Sequence, residues 1–243
     1  MITVLEGDCL EWLDMLPSAS FDAVIADPPY GTTQNSWDSI IPLEPLWKQL
    51  WRVCRGPVVM TASQPFTSIL VCSQIDRFKY DWVWKKEKGT GHLNAKKMPM
   101  RDKEDILVFY DRQPTYNPQF GEGVPYKNKA GKDHSARSSM TGSYGVYTNY
   151  REDSDGKRYP KQVLEFNVVG RGGVHPTQKP VALFEYLIRT YTNEGDNVLD
   201  FSAGSGTTGV AARNTGRHAT LIELNPAYVT TARERIASAE KTT

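Results

Sequence analysis

The feature that most restricts this chain is the rhythm of its last quarter, where short apolar runs alternate with helix-like segments. A helix near 180–192 leads to strand DNVLDF (196–201), a helix at 207–214, strand HATLIE (218–223) and a helix at 226–239. Strands separated by helices cannot pair as tight hairpins. Each must return parallel to the last, which predicts an α/β fold with a doubly wound, mostly parallel sheet. The front of the chain agrees. DAVIA (22–26) and PVVMTA (57–62) are brief, apolar and followed by loops, as expected of strands buried on both faces. Between them, EPLWKQLWRVC (44–54) sets Leu46, Trp47, Leu50, Trp51 and Cys54 on one helical stripe, which reads as core. PFTSILVCSQI (65–75) reads as a helix, and YDWVWK (80–85) and DILVFY (105–110) as strands.

From about 111 to 161 the composition changes to Gly, Ser, Asn, Lys and Tyr with few aliphatic residues. Such a stretch cannot build its own core and reads as a long insertion between two halves, 1–110 and 162–243, of one domain. At 243 residues, 39% hydrophobic and 23% charged, the chain suits a globular protein of that size. No apolar run approaches the roughly 20 residues needed to cross a bilayer, and MITVLEGD has no signal-peptide pattern. Cys9, Cys54 and Cys72 are widely spaced and lack a CxxC pair. They predict neither a metal site nor a disulfide framework, and favour a reducing cytoplasm. Net charge is only +1, yet residues 85–103 carry a local +5 and residues 126–161 a local +4, leaving −8 elsewhere. Positive charge gathered in the middle third suits a polyanion, although lysine-rich loops are also commonly just solvated.

Two motifs carry chemistry. Strand NVLDF ends in FSAGSGTTG (201–209) before a helix. Glycine lets the backbone turn tightly and approach a ligand, and Glu223, about 20 residues on, can accept hydrogen bonds from both hydroxyls of a ribose. Gly204, Gly206 and Gly209 spell G-x-G-x-x-G, so a dinucleotide dehydrogenase has to be weighed. Only 20 residues remain after Glu223 for a second nucleotide-binding half. Asp200 at the strand end also suits a cationic ligand better than a pyrophosphate. The second motif is Asp27-Pro28-Pro29-Tyr30, directly after strand DAVIA. Paired prolines make it a rigid extended arm at the ligand-binding edge of a parallel sheet. By average composition it arises by chance in about one chain in a thousand of this length. Asp27 and the Pro28 carbonyl can each accept an N–H from an aromatic amino group, turning its lone pair towards a methyl donor. Tyr30 can stack on the base that bears it.

With these motifs in place, the chain resembles the amino-methylating DNA methyltransferases of the β arrangement, in which the DPPY half precedes the cofactor-loop half and the target-recognition region lies between them. The resemblance spans nearly the whole chain and implies a Rossmann-like methyltransferase fold with S-adenosylmethionine as cofactor. Residues 1–110 would be the catalytic half, 111–161 the recognition insertion and 162–243 the cofactor half. GDCL (7–10) looks like the segment whose Asp8, followed by Cys9, approaches the cofactor adenine; Asp8 reads equally well as a helix N-cap. In HPTQKP (175–180), His175, Thr177 and Lys179 would face the methionine carboxylate. His175 could instead be a packing residue, and Lys179 a helix-start surface residue. Asp27, Asp200, Phe201, Ala203, Gly204, Ser205, Gly206, Thr207 and Glu223 complete the implied cofactor site.

The resemblance further implies DNA as partner and adenine N6 as target, since members with Ser in place of Asp27 are more typical of cytosine N4. RNA as substrate and a catalytically silent DNA-binding subunit are the competing readings. Lys85, Lys86, Lys88, Lys96, Lys97, Arg101, Lys127 and Arg137 are the expected DNA contacts, and a homodimer would extend the cover of so small a chain on a duplex.

Overall fold

The structure, a computed structural model, describes residues 1–32, 38–127, 136–137, 147–148, 153–170 and 178–239. It divides into two compact units, one formed by residues 1–117 and 161–243, the other by 118–160.

The first unit is built on an eight-stranded sheet. In chain order its strands are β1 (Ile2–Glu6), β2 (Ala23–Ala26), β3 (Val58–Ala62), β4 (Phe78–Thr90), β5 (Arg101–Phe109), β10 (Val163–Glu165), β11 (Asn197–Asp200) and β12 (His218–Glu223). The spatial order is β1-β12-β11-β2-β3-β5-β4-β10. All neighbours run parallel except β3/β5 and β5/β4, which are antiparallel. The sheet is thus mostly parallel. The exception is a ribbon in which β4, thirteen residues long, runs well beyond the apolar YDWVWK segment visible in the sequence.

Among the described residues six α-helices accompany the sheet: α1 (Cys9–Met15), α2 (Leu43–Val53), α3 (Phe66–Ser73), α4 (Val181–Tyr191), α5 (Thr207–Asn214) and α6 (Pro226–Ser238). Successive strand residues point to opposite faces. Ala23, Ile25, Val59, Ile106 and Val108 therefore join one core with Leu183, Leu187 and Ala211 of the later helices. Val24, Ala26, Met60, Leu107 and Phe109 join the other, with Leu13, Leu46 and Leu50. Both faces are buried, which is why these strands read as unbroken apolar runs. The tryptophan pair of α2 is core, as its stripe predicts. Trp47 is buried, Trp51 stacks on it at 5.4 Å, and their indole N–H groups donate to Ser73 and Gln74.

Residues 111–117 belong to the first unit. The Asn117 backbone N–H donates to the Thr190 carbonyl, and its side-chain amide donates to the carbonyls of Arg189 and Thr192. The second unit holds short antiparallel pairs, β6 (Gly121–Glu122) with β9 (Lys157–Arg158) and β7 (Ala136–Arg137) with β8 (Tyr147–Thr148). Within it Phe120 packs on Tyr159, and the Arg158 guanidinium lies over Tyr126.

Leu50→Ala, in the core, is expected to lower stability by about 2–5 kcal/mol. Leu93→Ala, at a position 87% exposed, is expected to change it by less than about 0.5 kcal/mol. Urea unfolding of both variants checks this, and equal midpoints would remove α2 from the load of the core.

Candidate active site

From β2 the chain moves through α2 to β3 on one side; from β11 it moves through α5 to β12 on the other. β2 and β11 are themselves neighbours, with Ala23 opposite Val198. Their C-terminal ends are therefore the switch point of the sheet, where a crevice opens for ligands. β2 delivers Asp27-Pro28-Pro29-Tyr30 there and β11 delivers Asp200 and the glycine loop. Both line a single cavity of about 1210 Å³, together with Asp8, Cys9 and Glu223.

The β11 side is rich in carboxylates. Buried Asp200 accepts from the Thr208 hydroxyl through Oδ2 and from the Ser202 N–H at 3.0 Å through Oδ1. Burial pushes its carboxyl up to about 7; the two donors oppose this, while the charges of Asp27 and Glu223 add to it. Glu223 binds the Gly204 N–H at 2.7 Å with one oxygen and the Asn225 N–H at 2.8 Å with the other. Each of its oxygens keeps a further lone pair. At Gly204, φ is +52° and an added Cβ would meet nothing within 4 Å, so the loop backs onto open space. Gly206 caps α5 with φ +80°, and a Cβ there would lie 2.8 Å from that of Ala232 on α6. Glycine at 206 thus serves close helix packing. Phe201 and Ala203 are buried, and Ser205 and Thr207 are held by Arg235 and by the Lys179 carbonyl. The Ser202 hydroxyl is buried with no partner among the described residues. Asp8 caps α1 by accepting from the N–H groups of Leu10 and Glu11, while also lining the cavity. Burial and the adjacent Asp8 push the Cys9 thiol up to about 12, so it stays neutral. His175 and Thr177 lie outside the described residues.

On the β2 side the structure adds a network absent from the sequence reading. Asp27 Oδ1 accepts from the Tyr30 hydroxyl at 2.9 Å, the Lys179 ammonium at 2.9 Å and the Thr61 hydroxyl. Glu104 Oε2 lies 3.1 Å from Lys179 Nζ and accepts from Tyr30 at 3.2 Å; its Oε1 pairs with Lys86 Nζ at 2.5 Å. Burial alone would push the Lys179 ammonium down, but Asp27 and Glu104 outweigh it and hold it above its ordinary value. Burial would likewise raise Glu104, but Lys179 and Lys86 keep it low. Burial, then the two carboxylates, push the Tyr30 phenol far up, so it remains a donor.

This corrects two sequence expectations. Lys179 is not a surface lysine: its ammonium is buried at the cavity wall and bonded to Asp27 and Glu104. Lys86 is not exposed on the outer surface but half-buried at the cavity wall, against Glu104 and the Trp84 ring. Tyr30 stacks on Phe66 at 5.5 Å. Pro28 and Pro29 line the cavity beside it.

Glu104 and Thr61 were missed because each stands at the end of an apolar strand, where a polar residue looks like a strand terminus. The period of two was the available signal. Thr61 follows Val59, Glu104 precedes Ile106, and Lys86 follows Trp84, all on one face. Of the other basic residues expected at DNA, Arg101 also lines the cavity. Lys88, Lys96, Lys97 and Arg101 are exposed on the β4–β5 ribbon, and Lys85 makes an exposed pair with Glu165. Lys127 is exposed in the second unit, and Arg137 stands in β7 with its side chain outside the described residues.

Comparison with known proteins agrees with this arrangement. A family model described as DNA methylase, covering the N6 and N4 enzymes, matches residues 21–234. The DNA adenine methyltransferase YhdJ of Escherichia coli is 29% identical over 93% of this chain and 80% of its own. A crystal structure of an M1.HpyAVI complex with SAM superimposes with a TM-score of 0.65 at 24% identity, covering 97% of this chain and 99% of that one. The cytosine-N4-specific PvuII DNA methyltransferase gives 0.69 at 17% identity, over 100% and 88%. The fold is that of these enzymes, and the chain belongs to the N6/N4 DNA methylase family.

Proposed function

We propose that the chain transfers the methyl group of S-adenosylmethionine to the exocyclic amino nitrogen of a DNA base turned out of the helix, and that the base is adenine. One observation carries the reading: the DPPY arm and the glycine loop stand side by side at the ends of neighbouring strands in one cavity. The residues present suit the cofactor. Asp200 and Glu223 offer carboxylates to a ligand with positive charge and ribose hydroxyls, Gly204 leaves room for it, and the Ser202 hydroxyl, buried without a partner among the described residues, can bond a polar group. When bound, the cofactor supplies a methyl group on a cationic sulfur.

Asp27 accepts one N–H of the target amino group and the Pro28 carbonyl a second, which localises the nitrogen lone pair for in-line attack. Transfer would form the N–C bond as the C–S bond breaks with its electrons left on sulfur, and the proton shed by the nitrogen would pass to solvent water by way of the Asp27 carboxylate. Positioning supplies most of the acceleration. The adenine assignment is supported by Asp at the first motif position and by the adenine activity named for YhdJ. The match to PvuII shows that the fold alone admits cytosine N4.

Incubation with labelled S-adenosylmethionine and unmethylated duplex, followed by digestion to nucleosides, is expected to give N6-methyladenine with wild type and none with Asp27→Ala. Label in cytosine amino groups would overturn the base, and label surviving in the variant would overturn the role of Asp27.

A cation in the cavity favours ionised Asp200, so cofactor binding releases a proton below pH about 7. Affinity for S-adenosylmethionine is therefore expected to rise with pH by up to about tenfold per unit below 7 and to level off above it. Asp200→Asn removes that slope. Calorimetric titration across the range decides it; a flat wild-type profile would count against the assignment.

Alanine at Lys88, Lys96 and Lys97 together is expected to weaken DNA binding alike on all sequences. Each lost phosphate contact flattens the salt dependence by about 0.9 in slope. Fluorescence anisotropy over a salt series reads both, and a selective change of target sequence would contradict the phosphate role.

A further inference from the structure

Four charges alternate in sign through the wall of the active site, Lys86, Glu104, Lys179 and Asp27, linked at 2.5, 3.1 and 2.9 Å. They come from four separate elements: β4, β5, the residue pair before α4, and the arm after β2. Side-chain exposure falls from 25% at Asp27 to 13%, 12% and 8% at Lys86, Glu104 and Lys179. Only the Asp27 end of the chain opens appreciably to solvent. Burying four charges is costly and adds little to stability compared with apolar packing. The apolar solution is close at hand, because the same sheet face carries Ile25, Val59, Trp84 and Ile106 one step further in. Ions at these places therefore call for a purpose beyond holding the strands together.

The geometry at Asp27 supplies one. Three donors converge on Oδ1, and among the described residues none reaches Oδ2. Two of those three donors also meet Oε2 of Glu104: the Lys179 ammonium with a separate N–H, and the Tyr30 hydroxyl by sharing its single proton, closer to Asp27 at 2.9 Å than to Glu104 at 3.2 Å. Glu104 thus fixes from behind both groups that orient the carboxylate.

We propose that Glu104 is a positioning residue for methyl transfer: it holds Lys179 and Tyr30 so that both donate to Asp27 Oδ1, reserving Oδ2 for the amino group of the target base, with Lys86 as its counter-charge. The proposal rests on the reading of Asp27 as the acceptor of that amino group. Glu104 stands in the cavity wall beside the reacting group rather than on it. Its action passes through Lys179 and Tyr30. A carboxylate here also keeps Lys179 protonated at a depth where burial favours the neutral amine. Among the described residues, the charged groups facing Lys179 are Asp27 from the β2 arm and Glu104 from β5, with Lys86 of β4 beyond Glu104. Lys103, the next lysine of β5, is engaged with Asp105 at 2.7 Å.

The test is the single-turnover rate of methyl transfer to duplex DNA against pH, for wild type, Glu104→Gln and Asp27→Ala, with cofactor affinity and melting temperature measured alongside. Glu104→Gln is expected to slow transfer about 100-fold, the loss typical of a misplaced reacting group. Its cofactor affinity should stay within about threefold of wild type, on the same principle that only the reacting geometry is disturbed. Because Lys179 loses one of two counter-charges, the alkaline limb of the rate profile should move to lower pH.

A rate and limb unchanged from wild type would overturn the proposal. So would a loss found wholly in cofactor affinity or melting temperature. Should Glu104→Gln not fold, the charge-balanced pair Lys86→Met with Glu104→Gln takes its place. Slowed transfer with a lowered alkaline limb in the pair supports the proposal, and wild-type behaviour overturns it. Asp27→Ala separates the two layers of argument. Transfer surviving in that variant would bring down the acceptor reading and the proposal together, whereas a dead Asp27→Ala beside a normal Glu104→Gln overturns the proposal alone.

Discussion

The parallel pairing of β2 with β11 is the constraint on which the rest of the structure depends. These strands are distant in sequence, and neither carries chemistry within its apolar stretch. Their register, with Val198 opposite Ala23 and Leu199 opposite Val24, brings both C-terminal ends to the same edge of the sheet. It is enforced by burial on both faces, since a slip of one residue would exchange the two cores along each strand. The segment that leaves each strand is then fixed in place: a proline arm on one side and a glycine loop on the other. An electrophile and a nucleophile can be held next to each other only because two short apolar strands are.

The two sides of the crevice handle charge in opposite ways. On the β11 side Asp200 and Glu223 are satisfied by hydroxyl and backbone N–H donors, and among the described residues Asp200 has no cation bonded to it. That half is electrostatically incomplete, and burial lifts Asp200 accordingly. On the β2 side Asp27 and Glu104 are matched by Lys179 and Lys86. A methyl donor with a positive centre is drawn to the first side. The second holds its own charge balance at the cavity wall.

Much of this was legible in the sequence, and the reasons differ by element. The central strands were readable because a strand buried on both faces is simply a short apolar run. α5 and β12 fell within the ranges read from the sequence because glycine punctuation marks their ends. The DPPY arm and the glycine loop were readable because rare backbone demands leave rare residues. The antiparallel return of β5 was not, since a strand carries no mark of its partner's direction. The network around Lys179 was illegible for a related reason. Its members lie at 27, 61, 86, 104 and 179, and a lysine bound for a surface and one bound for a buried pair look alike until the fold brings a carboxylate to meet it. Asp8 stood as both cap and cavity residue in the sequence, and the geometry has it capping α1 at the cavity wall.

The β4–β5 ribbon joins two regions with very different tolerance for change. Its base is pinned on both faces, with Ile106 and Val108 in one core and Leu107 and Phe109 in the other. Lys86 and Glu104 inherit their facing from that pinning. Its far end, from Gly91 to Met100, is exposed and carries Leu93, Lys96 and Lys97. Residues can be added to or removed from that end without moving Glu104, provided the pairing of Trp84 with Glu104 is kept. A lineage of such chains could therefore remodel the part of the ribbon that projects into solvent, and with it whatever that part touches, while inheriting the reaction geometry intact.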